Sequence, residues 1–138
     1  MNSPNTVLLI DDDDITNLLN KFFIEAIDDT IDVVTATNGA EALQFLENND
    51  INVIGPCYII LNVFMPIMDG WEFLEEFNTR FDAEFKEQVN ISILTGLNLE
   101  KIAKQAKENP LVKDTLEKPL SDAKFRALLT KHYAVKLS

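Results

Sequence analysis

Asp11 and Asp12 follow the apolar run VLLI, Asn62 follows YIIL, Thr95 closes NISIL, and Lys118 follows VKDTLE. Each is a polar group where a strand would surface. Two carboxylates offer hard oxygens to a divalent cation, and an amide or backbone oxygen nearby would complete a plausible Mg²⁺ site. A hydroxyl and a lysine ammonium can hold phosphoryl oxygens. The set therefore suits a metal-assisted phosphoryl site, and Asn62 decides what such a site can do. A carboxylate attacks phosphorus with an anionic oxygen. A carboxamide is neutral, its lone pairs are delocalised, and it is a far weaker nucleophile.

These groups work together only if the elements before them share one edge. Residues 58–61 are apolar without alternation, as in a strand buried on both faces of a parallel sheet. Residues 7–10 read the same way, and residues 31–37, 90–95 and 112–116 supply three further strands, the last weak. Helical patterns alternate with them. Ile15, Leu18, Leu19, Phe22, Phe23 and Ala26 mark one face of a helix capped by Asp13 or Asp14. Ala40, Leu43 and Leu46 mark a shorter helix after the Asn38-Gly39 turn. Residues 48–56 form a long connection, in which Ile51, Val53 and Ile54 could instead begin the next strand early. Pro66 and Asp69-Gly70 force a turn. Trp71, Leu74, Phe77, Phe81 and Phe85 then form a core stripe, broken near Asp82. Leu99, Ile102, Ala103 and Ala106 give an amphipathic helix closed by Asn109-Pro110. Ser121 caps a last helix whose face is Phe125, Leu128, Leu129 and His132.

Five β-α units imply an α/β fold: a five-stranded parallel sheet, doubly wound and flavodoxin-like, with ligands in the crevice at the carboxyl ends of the strands. A closed eight-stranded barrel needs about 200 residues or more, and this chain has 138. That length, with no repeat or low-complexity linker, reads as one domain over residues 1–138 with no output domain. The net charge of −11 argues against direct binding to nucleic acid or anionic membranes. No apolar stretch of about 18 residues is present. Cys57 is the only cysteine, which fits a reducing cytoplasm, and it reads as structural, as does His132.

In this order and spacing, Ile10-Asp11-Asp12, the run Met65-Pro66-Ile67-Met68-Asp69-Gly70, Thr95 and Lys118-Pro119 resemble a response-regulator receiver domain over essentially the whole chain. The resemblance implies that Asp11, Asp12 and the backbone carbonyl of Phe64 bind Mg²⁺, and that Thr95 and Lys118 contact the phosphoryl group. It places Asn62 where the family has its phosphoaccepting aspartate, so any Mg²⁺ held there would be bound more weakly. It also places Thr115 at the aromatic switch position. The expectation is a receiver of two-component signalling that has lost its phosphorylation chemistry, is not an enzyme, and acts by contact with a histidine kinase, a phosphotransfer protein or another regulator. The contact area expected from the resemblance runs from Leu97 to Ala106, with Thr115 and the last helix. The oligomeric state is open.

Blander readings stand beside this one. Residues 11–14 could be no more than an acidic helix cap, and Thr95, Lys118 and Asn62 plain strand-end residues. An ordinary phosphoaccepting receiver remains the alternative, if Asn62 replaces a native aspartate or another residue takes the phosphate. A more remote rival comes from Asp12-Asp13-Asp14-Ile15-Thr16, which fits the D-x-D-x-T motif of haloacid-dehalogenase-like phosphatases. The later acidic pair of that family is missing here, and MPIMDG has no place in it.

Overall fold

The computed structural model describes residues 3–133. Five parallel strands, β1 (Thr6–Ile10), β2 (Asp32–Ala36), β3 (Cys57–Leu61), β4 (Val89–Thr95) and β5 (Val112–Glu117), form one sheet in the order β2-β1-β3-β4-β5. Successive strand residues point to opposite faces, and the chain uses both. Leu8, Ile10, Ile59, Leu61, Ile91 and Ile93 pack on one side. There they meet α2 (Gly39–Glu47), α4 (Gly70–Arg80) and α6 (Leu99–Ala106). Val7, Leu9, Tyr58, Ile60 and Leu94 pack on the other, against α1 (Asp14–Ile27) and α7 (Asp122–Tyr133). A strand with two covered faces has no polar side to spare, which is why 58–61 shows no alternation.

Two short helices interrupt the simple β-α repeat. The connection before β3 folds into α3 (Ile51–Ile54), capped by the Asp50 side chain on the Asn52 amide, so Ile51 to Ile54 do not extend the strand. The aromatic stripe breaks at Phe81, and Asp82 caps a new helix, α5 (Ala83–Glu87), through the Phe85 amide. Phe81 and Phe85 stack with centroids 4.2 Å apart, so the stripe crosses the break.

The largest departure from the sequence pattern is α1. Ile15 (70% exposed), Leu18, Leu19 and Phe22 face solvent, while Asn17, Asn20 and Ile24 face the sheet. The short link from β1 fixes the phase of the helix. Asp13 caps it directly, accepting from the amides of Ile15 and Thr16. The same phase lets Asn17 Nδ2 donate to the Asp11 carbonyl at 2.9 Å and the Ala36 carbonyl at 3.3 Å. The first carbonyl follows β1 and the second ends β2, where it also accepts from the Asp11 amide at 3.0 Å; buried carbonyls of this kind need donors.

Candidate functional site at the carboxyl edge of the sheet

Parallel strands deliver Asp11, Asn62, Thr95 and Lys118 to one edge, as their positions in the sequence require. The backbone locks them in register: the Asn62 amide donates to the Ile10 carbonyl at 2.9 Å, and the Lys118 amide to the Thr95 carbonyl at 2.8 Å. Asp11, Asn62 and Thr95 are buried, and Asp12 lies exposed at the mouth. The loop from β3 to α4 closes the site by a close approach. A Cβ on Gly70 would lie 2.8 Å from the Asn62 carbonyl oxygen and 2.9 Å from the Val63 Cα, so only glycine fits. Asp69 is the N-cap of α4 and forms a capping box with Glu72. The Asp-Gly pair thus starts a helix pressed against the strand end, which is more than a turn.

Asn62 Nδ2 donates to the Phe64 carbonyl at 2.9 Å and to Asp12 Oδ1 at 3.3 Å. Lys118 Nζ reaches Asp11 Oδ2 at 2.7 Å, and Asp11 Oδ1 accepts from the Asp13 amide at 3.0 Å. Thr95 Oγ1 donates to the Leu97 carbonyl at 2.8 Å. Hydrogen bonds from the Thr16 amide and hydroxyl and from the Ile15 amide hold Asp13 below the usual carboxylate range. Among the described residues no three His, Cys, Asp or Glu side chains cluster to hold a metal. The oxygen donors present, two carboxylates and a main-chain carbonyl, are of the hard class that suits Mg²⁺. The Asn62 amide, however, sits on two of them.

Exposed apolar residues lie on the elements that bound this polar floor: Ile15, Leu18 and Phe22 on α1, Phe64 and Ile67 on the β3–α4 loop, and Leu97 after β4. Ile67 stands at φ 69°, a left-handed conformation unusual for a β-branched residue, and is 82% exposed. Thr115 lies away from the site on β5. It lines a groove of about 260 Å³ with Ala103, Ala106, Lys107 and Val112.

Two buried asparagines and one half-buried aspartate carry roles that period and motif did not mark. Asn17 and Asn20 fall on the polar side of a helical pattern, and that side turns out to be the inner one. Asp114 on β5 accepts from Lys131 and from Ser92 Oγ (3.2 Å), and lies 2.5 Å from His132 Nε2. Ser92 in turn meets the Tyr58 hydroxyl at 2.6 Å. Burial pushes the Asp114 carboxyl up, but the hydrogen bonds from Lys131 and His132 prevail and hold it below its ordinary value. His132 is therefore part of a scaffold that ties α7 to β5. Cys57 is fully buried, and burial alone pushes its thiol up to about 12, which leaves it unreactive.

Comparison with known proteins agrees with this architecture. The chain is 28% identical over 126 residues to the probable C4-dicarboxylate response regulator DctR of Bacillus subtilis, covering 91% of this chain and 51% of that protein. The DctR of Priestia megaterium is 26% identical over 135 residues, with 54% of it covered. The chain thus spans about half the length of these curated relatives. A two-component response regulator from Cytophaga hutchinsonii superposes with a TM-score of 0.83 at 27% identity, over 94% of this chain and 96% of that one. A receiver protein from Dyadobacter fermentans, 20% identical, shares the fold with a TM-score of 0.82 over 95% and 98% of the two chains. No helix among the described residues is long and apolar enough to cross a membrane. The response regulator receiver domain family matches residues 7–130, and with the parallel sheet and its carboxyl-edge acids in place the chain belongs to that family.

Proposed function

We propose that this receiver takes part in two-component signalling without accepting phosphate, and acts by docking on a signalling partner. The observation that carries the reading is the Asn62 carboxamide, whose Nδ2 donates to the Phe64 carbonyl and to Asp12 Oδ1 at the family's acceptor position. An N–H donor there is a neutral stand-in for a cation. It satisfies two oxygens that a metal would otherwise use, and it gives no anionic oxygen to attack phosphorus. Asp11, Asp12 and the Phe64 carbonyl would still hold Mg²⁺, one carboxylate short and therefore weakly. Bound there, the ion would neutralise charge on a phosphoryl group. Lys118, now on Asp11, and Thr95, now on the Leu97 carbonyl, would have to leave those partners to contact such a group.

Histidine kinases and phosphotransfer proteins are the partners of receiver domains in general, and we assign this chain the same class. Exposed apolar area supports contact through the outer face of α1, at Ile15, Leu18, Leu19 and Phe22, more than through the α6–β5 surface, where Lys101, Lys104, Lys107 and Lys113 are exposed.

Acetyl phosphate with Mg²⁺ tests the reading. The unaltered chain should form no base-labile phosphoryl adduct detectable by mass, whereas Asn62→Asp should form one and bind Mg²⁺ more tightly. Stoichiometric labelling of the unaltered chain would refute the proposal.

A further inference from the structure

Under the site, on the α1 side of the sheet, lies a small cavity that the acceptor chemistry does not use. Its polar lining is Asp11, Asn17, Asn20 and Asn62, set against apolar walls that include Leu9 and Ile60. Its volume is about 10 Å³ for the centre of a water-sized sphere, close to the least that holds one water.

The lining carries unmet hydrogen-bonding capacity. Asn17 is 96% buried (4% exposed), and its Oδ1 has no partner although its Nδ2 makes two bonds. Asn20 is 6% exposed and borders both this cavity and the open groove beside Lys118. Asn62 spends its Nδ2 on Asp12 and Phe64, which leaves its Oδ1 available. Of these amide atoms Asn17 Oδ1 is the one fully buried without a partner, and a buried polar atom left unpaired costs about 1–3 kcal/mol.

We infer that Asn17, Asn20 and Asn62 form a single-water site, and that the bound water fixes the rotamer of the residue 62 side chain from below. One water donates twice and accepts from Asn20 Nδ2, which matches the usual three bonds of a buried water. A cation fits less well, because Lys118 already neutralises Asp11 and the other three polar residues are uncharged. Asn20 also lines a larger groove beside Lys118, with Leu19, Phe23 and Pro119, so it stands between the water and solvent. Asn17 and Asn20 act on residue 62 only through the water, Asn17 also holding the Asp11 carbonyl, and both are positioning residues. This also gives the inward polar face of α1 a second purpose, beyond capping strand carbonyls. The inference holds whether or not residue 62 accepts phosphate, so failure of the labelling experiment leaves it untouched.

The test is a high-resolution crystal structure of the unaltered chain and of Asn20→Leu, paired with ¹⁵N NMR of the Asn62 side-chain amide. The first structure should show one water on Asn17 Oδ1. Asn20→Leu should fold, lose that water, and shift or broaden the Asn62 NH₂ signals, while Leu18→Ala on the outer face leaves them in place. A dry cavity, or an Asn17 Oδ1 paired with a protein donor, would overturn the site. An anomalous peak after soaking in rubidium would replace the water with a cation. Asn62 signals unchanged in Asn20→Leu would overturn the positioning role.

Discussion

Helices α1 and α6 both carry apolar stripes, the sharper one on α6, and use them in opposite ways. In α6 the stripe turns inward: Ile102 and Ala106 are buried against the sheet, and Lys101 and Lys104 lie in solvent. In α1 the stripe turns outward, and asparagines take the inner face. An apolar period shows that a helix has two unlike faces. Which face meets the sheet is settled by what the sheet offers at that point. Beside β5, α6 meets an apolar surface. Above the ends of β1 and β2, α1 meets the Asp11 carbonyl and the Ala36 carbonyl, the second already accepting from the Asp11 amide, and a carboxamide serves them better than a leucine. The apolar area displaced outward lies next to the site mouth, where a partner can cover it.

The contrast has measurable consequences. Ile102→Ala should destabilise the chain by about 2–5 kcal/mol in urea unfolding, through lost burial and a cavity, while Leu18→Ala should change little. Equal costs would mean that α1 packs by its apolar face after all. Asn17→Leu adds apolar area to the inner face yet should destabilise by about 1–3 kcal/mol, because the Asp11 and Ala36 carbonyls lose a donor. A stabilised variant would show that those bonds are dispensable.

The α1 face of the sheet has a second polar anchor in Asp114, which ties α7 to β5, and pH tests it. Its carboxyl is held below the unfolded value of about 3.9. Its contribution is therefore complete above that value and is lost as pH falls through the folded, lower value. Asp114→Asn should flatten the acid limb of the stability profile and leave the neutral plateau only modestly lower. An unchanged acid limb would place the titrating groups elsewhere. The smallest effect on stability is expected for Leu18→Lys with Phe22→Lys, within about 0.5 kcal/mol as for other exposed positions. The same pair should abolish capture of a histidine kinase or phosphotransfer partner. Lys101→Glu with Lys104→Glu should leave that capture intact. The reverse result would move the docking face to α6 and β5.

Much of this molecule follows from local pattern. Uninterrupted apolar runs at 7–10 and 58–61 identify strands covered on both faces, and their alternation with helices fixes a parallel sheet. Parallel strands have only one carboxyl edge, so Asp11, Asn62, Thr95 and Lys118 had to meet there. Asp13 and Ser121 announce helix starts through their side-chain oxygens, and each accepts from an amide of its helix; Asn38 and Asp69, which the pattern marked only as turns, do the same. Other features needed the assembled fold, because they depend on groups distant in sequence. The inward turn of Asn17 answers a carbonyl of β2, 19 residues away. The bond from Lys118 to Asp11 spans 107 residues, and the Tyr58–Ser92 link spans 34. The need for glycine at position 70 arises from the Asn62 carbonyl lying under it. Sequence determined which residues reach the site edge. Tertiary structure decided that Asn62 is held by its own donors there, and that the first helix shows its apolar face to the outside.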